Sequence, residues 1–135
     1  MARILVVEDD DTNAEVLERV LSRMGGHEVI VTEDATQVLA RCRDGVGLVV
    51  MDVSLSNTHL DGRAIDGVRL TRLIRRRTAA PPPVLLLTAH AMRGDRERLL
   101  QLSGADDYVS KPIMDHHEFL RTVEGLLSRA EGRAA

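Results

Sequence analysis

Four short stretches of this chain carry groups that can act together, and each follows a run of apolar residues. Glu8, Asp9, Asp10 and Asp11 follow Ile4 to Val7, Asp52 follows Leu48 to Met51, Thr88, Ala89 and His90 follow Val84 to Leu87, and Lys111-Pro112 follow Tyr108 to Ser110. Carboxylates gathered in one place repel one another and take up protons unless a cation sits among them. A cluster of Glu8, Asp9 and Asp52 therefore suits a hard divalent cation, most simply Mg²⁺, which prefers oxygen ligands and keeps some of its waters. Asp10 and Asp11 have a plainer reading as acids at a helix N-terminus, where the dipole favours them. That reading leaves Asp52 unexplained, because no helix start follows it directly.

These groups converge if the order of strands brings the first, third, fourth and fifth strand ends together. Ile4 to Val7 has the β-branched, uninterrupted character of a strand buried on both faces. Asp11 or Thr12 offers an N-cap, and Val16, Leu17, Val20, Leu21 and Met24 then recur at helical spacing until Gly25-Gly26. The same unit repeats. Glu28 to Thr32 reads as a strand, and Ala35, Val38, Leu39 and Cys42 mark a helix ended near Gly45. After the Leu48 to Met51 strand, a polar stretch from Ser54 to Asp66 leads to a helix through Val68, Leu70, Leu73 and Ile74. This helix ends in Arg75-Arg76-Arg77 before three prolines, which reads as a helix terminus rather than a nucleic-acid patch. Val84 to Leu87, a helix over Asp95 to Ser103, a strand over Tyr108 to Ser110 and a helix over Asp115 to Arg129 complete the pattern, leaving 131–135 as a loose tail. The fold class is therefore α/β, a doubly wound (βα)5 five-stranded parallel sheet. Its chemistry belongs at the carboxyl ends of the strands.

A length of 135 residues fits one domain, and the net charge of −3 gives no positive field to hold a phosphate backbone, so nucleic acid is not an expected partner. Of the 18 basic residues only Lys111 is lysine. The single cysteine, Cys42, excludes an intramolecular disulfide and reads as a packed thiol on an apolar helix face. No signal-peptide core and no membrane-length apolar run is present, which points to the cytoplasm.

Four motifs in order resemble the receiver domains of two-component response regulators, the CheY-like family: Ile4 to Asp9, Leu48 to Asp52, Leu85 to Ala89, and Gly104 to Pro112. The resemblance covers essentially the whole chain. The stretch Ala89 to Arg98 is similar to single-domain receivers of the DivK type and to receivers of hybrid kinases. It implies a sheet order of 2-1-3-4-5 and a phosphoacceptor at Asp52 that takes its phosphoryl group from a phosphohistidine on a sensor histidine kinase or histidine phosphotransfer protein. It also implies Mg²⁺ held by Glu8, Asp9, Asp52 and the Ser54 backbone carbonyl, with Thr88 and Lys111 binding the phosphoryl group. Tyr108 matches the aromatic switch, Ala89 and His90 lie near the site, and the peptide bond before Pro112 is expected to be cis. The implied domain is a phosphoacceptor signalling unit over residues 1–130, not a classical enzyme, with no output domain. It would act through a protein target at the face of the fourth helix, fifth strand and fifth helix, as a monomer or a phosphorylation-dependent dimer.

The physical logic agrees. An aspartate carboxylate is a competent nucleophile when a metal neutralises the incoming phosphoryl group and a fixed cation balances a further oxygen. Arginine does not simply replace that lysine, because a planar guanidinium has a different reach and donor geometry. Two features depart from the family pattern. Ser56 stands where proline is usual, and about seven residues are inserted before Asp66-Gly67, which is preferred over Asp61-Gly62 as the helix start for its phase with Val68, Leu70, Leu73 and Ile74. The insertion, Asn57 to Ile65, is expected to extend the loop beside Asp52, selecting a partner, covering the site or serving as a tolerated surface loop. A phosphorylation-independent interaction module is the competing reading. A haloacid-dehalogenase-type hydrolase would need an aspartate where Ser54 stands.

Overall fold

In the computed structural model, which describes residues 1–89 and 95–134, strands and helices alternate along the chain. They are β1 (Arg3–Val7), α1 (Asp11–Arg19, prolonged by a π-helical stretch Val20–Met24), β2 (Glu28–Thr32), α2 (Ala35–Asp44) and β3 (Leu48–Asp52). A small hairpin of β4 (His59–Leu60) and β5 (Arg63–Ala64) follows, then α3 (Gly67–Arg77), β6 (Val84–Thr88), α4 (Asp95–Ser103), β7 (Asp107–Ser110) and α5 (His116–Ala134). Five strands form one sheet in the order β2-β1-β3-β6-β7, every neighbouring pair parallel, as the sequence predicts for its five runs. The order reverses at β1, so the carboxyl ends of β1 and β3 flank the crevice where such sheets bind ligands.

The apolar runs give the sheet two covered faces. Leu5, Val7, Met51 and Leu86 pack against Val38, Leu39, Leu70 and Ile74 of α2 and α3. Ile4, Val6, Val50 and Leu87 pack against Leu17 and Leu21 on one side and Phe119, Val123 and Leu126 of α5. Each fully buried aliphatic side chain contributes roughly 1.5–3 kcal/mol relative to exposure, which is why β3 and β6, buried at all five positions, form a rigid base for the site. Cys42 is buried in the first cluster, and burial pushes its thiol up to about 11, in keeping with a packed, unreactive role.

Several local expectations are corrected. The N-cap of α1 is Asp10, whose side chain accepts from the Asn13 N–H, rather than Asp11 or Thr12. Met24 is exposed, because the π-helical turn adds residues per turn and carries it off the apolar face. The final helix runs to Ala134, through most of the stretch expected to be loose, since no proline or cap interrupts Ala130 and Glu131. The inserted residues form the β4–β5 hairpin rather than an open loop, with Asp61 and Gly62 at φ 53° and 79°. Positive φ at both central residues is the type I′ geometry that matches strand twist.

Asp66 caps α3 by accepting from the Arg69 N–H, which settles the choice between the two Asp-Gly pairs. Gly67 is required by a close approach: a Cβ there would lie 2.0 Å from the carbonyl oxygen of Asp52. Helix α3 is thus seated directly on the end of β3.

Candidate functional site

Glu8, just after β1, and Asp52, the last residue of β3, stand side by side, both almost fully buried, with Asp9 at the rim. Ligand oxygens of Glu8, Asp9 and Asp52 all lie within 4.8 Å of one another, a spacing that one small cation can bridge. Lys111 reaches in from the loop after β7. Its Nζ donates to Asp52 Oδ1 at 3.0 Å and to Glu8 Oε1 at 3.4 Å. That loop is anchored to the neighbouring strand, because the Lys111 N–H donates to the Thr88 carbonyl at 2.8 Å. Thr88 is buried at the end of β6, opposite Ser110 in the register, and the Lys111-Pro112 peptide bond is cis, as expected.

The charges are uneven. Burial pushes the Glu8 carboxyl up to about 7, Asp52 adds to this through hydrogen bonding and repulsion, and Lys111 offsets part of it. Burial acts to lower Lys111, but its bonds and attraction to Asp52 and Glu8 outweigh it and hold the ammonium above the usual lysine range. For Asp9, burial acts upward and is outweighed by hydrogen bonds. The Ser56 N–H at 2.6 Å, the Ser56 hydroxyl at 2.9 Å and the Asn57 N–H at 3.0 Å all donate to Asp9 Oδ2, keeping its carboxyl below the ordinary carboxylate range. Proline at position 56 would supply neither the N–H nor the hydroxyl. The departure from the usual proline thus provides two of the three donors that orient Asp9.

Of the residues singled out from sequence, Glu8, Asp9, Asp52 and Lys111 come together, and Thr88 closes the adjacent strand end. Ser54 donates its N–H to Asp52 Oδ1 at 3.2 Å. Ala89 is exposed and, with Glu8, Lys111 and Pro112, lines a cavity of about 350 Å³ beside the carboxylates. Tyr108 stands apart on β7, half-buried, with the Arg96 guanidinium 5.6 Å from its ring centroid and Arg96 also paired to Asp107 at 2.9 Å. His90 lies outside the described residues. Sequence reasoning missed Ser56, Asn57 and Arg96 as partners of the site and of the tyrosine. Only Ser56 left a trace, by standing where proline was expected.

Comparison with known proteins agrees with this geometry. The family described as the response regulator receiver domain matches residues 4–124. The transcriptional regulatory protein GltR of Pseudomonas aeruginosa is 37% identical over 129 residues, which cover 95% of this chain and 50% of that protein. The sensor protein GacS of Pseudomonas syringae pv. syringae is 36% identical over 114 residues, covering 84% of this chain and 12% of the sensor. The chain spans half or less of the length of these two relatives. Among solved structures, the receiver domain of a sensor histidine kinase from Pseudomonas aeruginosa, with a magnesium ion coordinated in its active-site cleft, superimposes with a TM-score of 0.76. The two are 32% identical over 94% of this chain and 98% of that one. A CheY-like receiver domain protein from Methanospirillum hungatei shares the fold at a TM-score of 0.79, with 22% identity over 98% of each chain.

Proposed function

This chain belongs to the response regulator receiver domain family of two-component signal transduction, and from that premise we propose that Asp52 is its phosphoacceptor. One observation carries the assignment: a buried carboxylate at a strand end is held by the only lysine in the chain, at 3.0 Å, beside two further carboxylates. In this reading an Asp52 oxygen attacks the phosphorus of a phosphohistidine on a histidine kinase or phosphotransfer protein. The P–N bond breaks, its electron pair returns to the imidazole, and an acyl phosphate remains on Asp52.

The donor set fits Mg²⁺, with Glu8, Asp9, Asp52 and the Ser54 carbonyl as the residues that would hold it. Mg²⁺ bound there would neutralise negative charge on the phosphoryl oxygens. Lys111 pairs with another of those oxygens, and it is already ordered by Asp52 and Glu8, so little reorganisation is needed. The Thr88 hydroxyl bonds the phosphoryl group and Tyr108 follows, changing the surface of α4, β7 and α5 that a downstream protein contacts. Residues 1–130 act as one receiver unit carrying the β4–β5 insertion, in the cytoplasm, and turn over only their own phosphoryl group. Among the described residues no helix is long and apolar enough to cross a membrane.

Incubation with acetyl phosphate or phosphoramidate in Mg²⁺ should place one phosphoryl group on the wild-type chain and none on Asp52→Asn. Persistent labelling of that variant would move the acceptor elsewhere. A phosphorylation-independent module would instead show neither labelling nor any NMR response to beryllofluoride and Mg²⁺.

A further inference from the structure

The β4–β5 insertion does more than extend a loop, because it forms one wall of a groove whose other wall is α3. Leu60 and Leu73 contribute apolar surface to this groove, and Arg63, Arg69, Arg72 and Arg76 line it. All four arginines are exposed, and none forms an ion pair among the described residues. On α3 they stand at i, i+3 and i+7, so Arg69, Arg72 and Arg76 share one face. Like charges at such spacings disfavour a helix by a few tenths of a kcal/mol per pair. The helix dipole offsets this only in the last turn, leaving Arg69 and Arg72 without compensation. The chain as a whole is acidic, so this concentration of positive charge is a local feature.

We propose that this groove is an interaction surface for an acidic, amphipathic segment of a partner protein, separate from the phosphoacceptor site. Guanidinium groups pair with carboxylates in planar two-point contacts, and the Leu60 and Leu73 side chains in the same groove give apolar anchors a place to lie. A nucleic acid fits less well. Among the described residues no aromatic side chain lines the groove to stack a base. No residue of α4, β7 or α5 lines the groove, which sets it apart from that surface.

The test is an NMR titration of the full ¹⁵N-labelled chain with a synthetic helical peptide bearing glutamates on one face and leucines along its edge. Three other probes run in parallel: the same peptide with serine for leucine, its lysine counterpart, and a single-stranded oligonucleotide. Shifts confined to residues 60–65 and 69–76 are expected, with binding at least about tenfold weaker for the serine peptide and for Arg72→Glu/Arg76→Glu. Arg96→Glu should bind normally, and Arg72→Gln/Arg76→Gln supplies a milder charge removal should the double reversal perturb folding. Absence of shifts in the groove, equal binding of the serine peptide, or tighter binding of the oligonucleotide at the same residues would overturn the proposal. So would concentration-dependent self-association seated there, which would assign the groove to a second copy.

Discussion

The strand-end cluster and the α3 groove are opposite solutions to the placement of charge. At the strand ends, Glu8 and Asp52 are buried and Lys111 sits between them with bonds to both. Along α3 and the hairpin, four guanidiniums converge and all remain in water. A buried charge must be compensated within the molecule, since removing one partner leaves the other unpaired in a poor solvent. Exposed charges of one sign need no internal partner, because water and salt screen them. The first region is therefore fixed by its own neighbours, while the second is completed only from outside.

The largest effect expected from this contrast is at Lys111. Lys111→Met should slow labelling by about 100-fold, the scale of losing one well-placed electrostatic donor. Lys111→Arg should still take the label but lose the beryllofluoride-induced NMR change. Full activity of the arginine variant, together with loss of function at many Arg→Lys changes, would erase the distinction drawn for the single lysine. Next comes Gly67→Ala, whose new methyl would run into the Asp52 carbonyl. A loss of about 2–4 kcal/mol in urea unfolding is expected, and a neutral result would show that the seating of α3 on β3 yields easily.

Glu8 gives the pH dependence. Its folded value of about 7 lies above the ordinary 4.5, so between those values the folded chain holds a proton that the unfolded chain has lost. Stability without metal should therefore fall as pH rises through that window. Mg²⁺ competes with the same proton, so its affinity should tighten from about pH 6 to about pH 8 and then level off. Calorimetry on Glu8→Gln should show that slope removed. Smaller still is the effect at Ser56. Ser56→Ala should raise the Mg²⁺ concentration for half-maximal labelling by about two- to threefold and Ser56→Pro by about tenfold, with the maximal rate retained and Ser56→Thr close to wild type. The smallest is Arg72→Gln, which should leave thermal stability unchanged or raise it by a few tenths of a kcal/mol at low salt.

Much of the first region was legible in the sequence. Strands buried on both faces announce themselves as unbroken apolar runs, and the residue after each run must emerge at the sheet's edge. Asp52 after Leu48 to Met51 is the clearest case. The hairpin was harder to read, because His59-Leu60 and Arg63-Ala64 are too short for any alternation. Asp61-Gly62 reads as a helix start as readily as a turn, since Asp-Gly serves both and flanking alternation is what marks a hairpin. The cap at Asp10 was obscured by three consecutive aspartates, any of which satisfies the same rule. Contacts such as Arg96 over Tyr108 bring together residues of two different elements, and nothing in local pattern encodes them.

The hairpin leaves the domain at Thr58 and returns at Ile65, whose N–H donates to the Thr58 carbonyl at 3.0 Å. The two ends of the excursion therefore meet, at a backbone bond just outside the β4–β5 pairing. Because the entropy of closing a loop grows only slowly with its length, this junction is a natural splice point. Segments of different length and chemistry can be exchanged there while β3 and α3 keep their places, so recognition can diversify between relatives independently of the chemistry at Asp52.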